Sequence, residues 1–74
     1  MANDEEKEVE KSYATGEVVA KLRRLADALE GEKTFEIQVA GERIRVPPYA
    51  AVEFEYARDG DEEELEIEVK WKRR

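Results

Sequence analysis

The sequence has no cysteine and no histidine. Disulfide staples, thiolate or imidazole zinc sites, and every mechanism built on a Cys or His nucleophile or base are therefore excluded. Its two prolines are adjacent, at Pro47-Pro48, and its four glycines are scattered rather than gathered into a phosphate-binding pattern. No apolar run approaches the ~20 residues that cross a bilayer as a helix. Asn3, Asp4, Glu5 and Glu6 stand where a signal peptide would be basic and then apolar, so a soluble cytoplasmic protein is the expectation.

What the sequence does have is charge and period. Charged residues make up 45% of its 74 residues, and 20 acidic against 13 basic give a net charge of -7. A chain so charged is repelled on average by nucleic acid and anionic lipid. It escapes the composition of a disordered segment because its 41% hydrophobic residues fall in strict periods. The length fits one domain, close to the lower limit for a chain that folds on its own core. We divide it into a polar tail at residues 1–6, expected to be disordered, a single domain at 7–72 and a basic C-terminal tail at 73–74.

The clearest period runs from Glu64 to Lys72. Leu65, Ile67, Val69 and Trp71 share one face of a strand, and Glu64, Glu66, Glu68, Lys70 and Lys72 share the other. Val52, Phe54 and Tyr56 alternate with Glu53 and Glu55 in the same way. Between these two runs lies Arg58-Asp59-Gly60-Asp61, a hairpin signal that sets Phe54 opposite Leu65 when Asp59-Gly60 is central. Earlier, Phe35, Ile37 and Val39 lead through a turn at Gly41 to Ile44 and Val46. Gly41-Glu42 or Ala40-Gly41 serves as the centre of that turn, and Pro47-Pro48 ends the second strand. Val18, Leu22, Leu25 and Leu29 recur at helical spacing, with Thr15 expected as N-cap and Gly31 as a left-handed C-cap. Val9 and Tyr13 suggest a further strand over Lys7–Ala14. The expected fold is α+β, with elements in the order β-α-β-β-β-β. One helix packs on one face of a five-stranded, mainly antiparallel sheet; laid diagonally, it favours pairing of the first strand with the last, whereas pairing with the second strand would set the helix over one edge.

Leu22-x-x-Leu25-Ala26-Asp27-Ala28-Leu29-Glu30-Gly31, the amphipathic strands after it and Trp71 near the end together resemble the amphi-Trp domain family. These are small prokaryotic proteins and domains, and the likeness covers about Lys7 to Lys72. The resemblance implies the fold and brings no reaction, cofactor or catalytic residue with it.

Trp71 offers an aromatic platform, although its parity with Leu65, Ile67 and Val69 also places it at a core or its rim. Lys70, Lys72, Arg73 and Arg74 surround it with positive charge, and Arg43 and Arg45 extend that charge on the wet face. These seven residues are the candidate interaction residues. Asp59, Asp61, Glu62, Glu63 and Glu64 crowd carboxylates around a turn, without the spacing of an EF-hand, and read as a solvated loop. The open glutamates of the strands have no pocket to separate their pKa values, as acid–base catalysis requires. We expect no enzyme, no cofactor, no metal and no small-molecule ligand. The expected function is a small non-catalytic module that binds a protein partner or itself. The alternative is a binder of nucleic acid or an anionic surface through Trp71 and the basic terminus; an enzyme is the third reading.

Overall fold

The computed structural model describes residues 7–74. Along the chain lie α1 (Thr15–Glu30), β1 (Phe35–Val39), β2 (Glu42–Val46), β3 (Ala51–Asp59) and β4 (Glu62–Lys70). The class is α+β with one helix, but the strands form two separate two-stranded antiparallel sheets, β1-β2 and β3-β4, instead of one five-stranded sheet. The tail expected at residues 1–6 lies outside the described residues.

Two features of the chain explain the division. Pro47 and Pro48 bring no N–H to the place where β2 would hand its ladder to β3. The Ala50 N–H then bonds back to the Pro47 carbonyl at 3.1 Å, closing a turn that leads β3 away from β2. The segment expected as a first strand is irregular from Lys7 to Ala14. Its side chains, not its backbone, tie it to the first hairpin: the Tyr13 hydroxyl donates to the Gln38 carbonyl at 3.0 Å, and Lys7 pairs with Glu42. The Lys11 and Lys21 ammonium groups sit over the Tyr13 ring at 5.1 and 4.7 Å. The expected pairing of a first strand with the last is therefore absent.

The helix caps differ from expectation too. Ala14, not Thr15, is the N-cap, and no side chain bonds to the free N–H groups of the first turn. At the other end Gly31 keeps a negative φ of -86°, and Glu32 takes the left-handed position at 54°. The Lys33 N–H reaches the Ala28 carbonyl at 2.9 Å and the Glu32 N–H reaches Leu29 at 3.2 Å. This pair of bonds is a Schellman motif with glutamate where glycine is usual.

The β1-β2 register pairs Val39 with Glu42, so Ala40-Gly41 is the turn. Both residues have positive φ, 50° and 81°, as a type I′ turn requires. In the second hairpin Asp59 pairs with Glu62, which moves the turn to Gly60-Asp61 and sets Tyr56 opposite Leu65 and Phe54 opposite Ile67. Phe54 does not face Leu65. The slip is an even one across the pair, so every side chain keeps its face.

Packing is confined to one half of the molecule. Phe35 and Val46, opposite each other in the first ladder, are the buried residues among those described, at 7% and 6% exposure. Leu25 and Ala28 of α1 are half-buried, and the Arg24 guanidinium lies 5.2 Å from the Phe35 ring centre while donating to the Glu36 carbonyl at 2.6 Å. The helix packs on β1 alone and does not cross the second hairpin. The radius of gyration is accordingly 14.3 Å, against about 11 Å for a compact chain of this length.

Candidate functional site

Two surfaces stand out, and both involve the second hairpin. The first is the apolar side of β3-β4. Strand alternation builds it from three cross-strand rungs, Val52–Val69, Phe54–Ile67 and Tyr56–Leu65, closed at the turn end by Arg58 opposite Glu63. Phe54 is 70% exposed, Leu65 66% and Tyr56 58%, and no other element covers them. The Tyr56 hydroxyl donates to Glu63 Oε1 at 2.9 Å; that bond above all holds the phenol above its ordinary pKa. Large apolar side chains side by side and this open are unusual on the surface of a lone chain.

The opposite side of the hairpin is acidic. The register sets Glu53 against Glu68 and Glu55 against Glu66, an arrangement that repels across the strands. Carboxylate oxygens of Glu55, Glu66 and Glu68 lie within 4.8 Å of one another. The charge of Glu64, foremost, and those of Glu55 and Glu68 raise the pKa of Glu66. Lys70 partly offsets the repulsion, with Nζ 3.2 Å from Glu68 and 3.6 Å from Glu53. Its hydrogen bond to Glu68, ahead of the two charges, raises its own pKa. Sequence reading placed these glutamates on one face but did not find the trio, which depends on register. The carboxylates expected as a solvated loop, among them Asp59, Glu62, Glu63 and Glu64, do line an open depression at the hairpin tip.

The second surface is a shallow cleft where the chain leaves β4 and comes near β2. Trp71, half-buried, lines it with Val69, Ile44, Arg43, Arg45, Lys70 and Arg73. Five of the seven residues singled out from the sequence thus meet in one place. Arg45 is 3.0 Å from Glu36 and Lys70 is held by its glutamates, while Arg43 and Arg73 form no ion pair among the described residues. The other two lie elsewhere. Arg74 stacks on the Tyr49 ring at 4.0 Å, and the Lys72 carbonyl accepts from the Tyr49 hydroxyl at 3.1 Å. Tyr49, which the sequence did not bring forward, thereby anchors the C-terminus.

The helix, the amphipathic strands and a half-buried tryptophan at the end of β4 are now in place, and a family model for the Amphi-Trp domain matches residues 1–74. The chain belongs to the Amphi-Trp domain family. No curated protein and no solved structure gives a significant match to it. Among the described residues of this Amphi-Trp domain no polar or charged group is buried, and no helix is long and apolar enough to cross a membrane.

Proposed function

We propose that this Amphi-Trp domain is a non-catalytic interaction module and that the apolar face of β3-β4 is its docking surface. The observation that carries the reading is the exposure of Phe54, Tyr56 and Leu65 side by side on a hairpin that no other described element covers. A two-stranded hairpin alone is marginal in water, and one with an open apolar face gains most from a partner. Catalysis is disfavoured because the groups with shifted pKa values, Tyr56, Glu66 and Lys70, all stand in open solvent with no enclosed cavity around them. The test compares the wild type with Phe54→Lys/Leu65→Lys in size-resolved binding, alone and in extract of the source cells. Complexes formed by the wild type should be lost in the variant while its helical circular dichroism is retained. Identical complexes for both proteins would refute the reading.

A second reading has its own support in the Trp71 cleft, which Arg43 and Arg73 line together with the indole. Such a cleft suits a phosphate-bearing strand, whose bases stack on the ring. Binding to single-stranded DNA at low salt that falls steeply with added salt and disappears in Trp71→Ala would favour it over the first.

A further inference from the structure

The chain leaves open a second apolar surface, of a different kind from the first. At 100° per residue, Val18, Leu22, Leu29, Ala26 and Val19 occupy an arc of about 100° on α1, next to the half-buried Leu25 and Ala28. Val18, Val19, Leu22 and Leu29 are all exposed. One molecule therefore carries both an uncovered helix stripe and an uncovered sheet face, and they do not touch.

We propose that the β3-β4 face is covered by α1 of a second copy of this chain, exchanged reciprocally so that two chains close into a two-fold dimer. This rests on the docking-face reading and names its partner. The dimensions agree. From Val18 to Leu29 the stripe is about 16 Å long at ~1.5 Å per residue, and the three apolar rungs span about 14 Å at ~3.4 Å per residue. The nine open side chains of the two surfaces expose roughly 800 Å² per copy, which is what each partner contributes to a stable interface of ordinary size.

Charge selects the helix over a second hairpin. Residues 51–70 hold nine acidic and two basic side chains, so the whole net charge of -7 sits there; the rest of the chain balances eleven against eleven. Two hairpins laid face to face would bring both concentrations of negative charge together. The helix carries Glu17, Asp27 and Glu30 against Lys21, Arg23 and Arg24, and is neutral. Each chain offers one stripe and one face, so reciprocal exchange satisfies both and leaves no apolar end for further growth.

The absence of cysteine makes cross-linking a clean readout. Sedimentation equilibrium should give twice the 8.6 kDa chain mass. When Leu22→Cys and Leu65→Cys chains are mixed and oxidised, the disulfide should join one of each, several-fold in excess over either like pair. Leu65→Lys, at a site exposed in the single chain, should weaken the dimer at least tenfold with its helix content unchanged. A dimer whose disulfides join two Leu65→Cys chains overturns the helix as occupant and leaves the docking face standing. A monomer that still binds an apolar dye at this face overturns the second copy and leaves the face for another partner. An open series of oligomers overturns the two-fold closure. A monomer in which Leu22→Cys/Leu65→Cys closes a disulfide within one chain overturns this proposal and the docking-face reading together.

Discussion

Glu32 and Ala40 hold φ angles of 54° and 50° with side chains that disfavour them. A left-handed conformation costs an L-residue roughly 1–2 kcal/mol, a cost glycine does not bear and asparagine bears in part. Glu32→Gly and Ala40→Asn should therefore each raise the unfolding free energy by about 1 kcal/mol, and their effects should add because the sites are in separate turns. Urea titration of both single variants and the double variant checks this; loss of stability in Glu32→Gly would contradict the cap. Glu66 supplies a pH-dependent test. Its pKa is raised in the folded chain, so folding favours its protonated form. That contribution is fully present below the ordinary carboxylate pKa and is lost as pH rises through the raised value. Glu66→Gln should thus raise the melting temperature at pH 7 and change it little near pH 3.5. An equal gain at both values would place the effect elsewhere.

At the scale of elements, the chain is a packed unit of α1, β1 and β2 joined to a hairpin whose apolar face no other described element covers. Phe35→Ala, in the buried rung with Val46, should cost about 3 kcal/mol and melt α1 and the first hairpin together. Amide exchange should be slowest in that rung. In β3 and β4 it should be fast at high dilution and slow markedly as concentration rises, since partner binding then supports the ladder. Exchange in the second hairpin that ignores concentration would contradict this. The five described elements were separately legible in the sequence. Val52, Phe54 and Tyr56 obey a period of two and Val18, Leu22, Leu25 and Leu29 a helical one, and these periods are local. What escaped was non-local or energetically close. Sequence placed the left-handed cap at Gly31, where glycine is cheapest, but the helix runs one residue further. It placed the second turn one residue early because Asp59-Gly60 and Gly60-Asp61 are both acceptable turn pairs. It assembled one sheet because alternation says which face is dry and nothing about which edges meet. Arg43 and Arg45 could be placed on a wet face, but their approach to Trp71 depends on the path between the hairpins.

At the scale of the whole molecule, one property governs the rest: among the described residues, nothing covers the apolar face of β3-β4. The extended shape follows from it, and the proposed docking surface and dimer both rest on it. Thiol alkylation of Leu65→Cys across a dilution series tests it most directly, with Val46→Cys, a near-isosteric change at a buried site, as the reference. In the dilute limit the Leu65→Cys thiol should react nearly as fast as in denaturant, while the reference stays protected. A Leu65→Cys thiol that remains protected however far the protein is diluted would mean that the chain covers its own face, and would contradict the account.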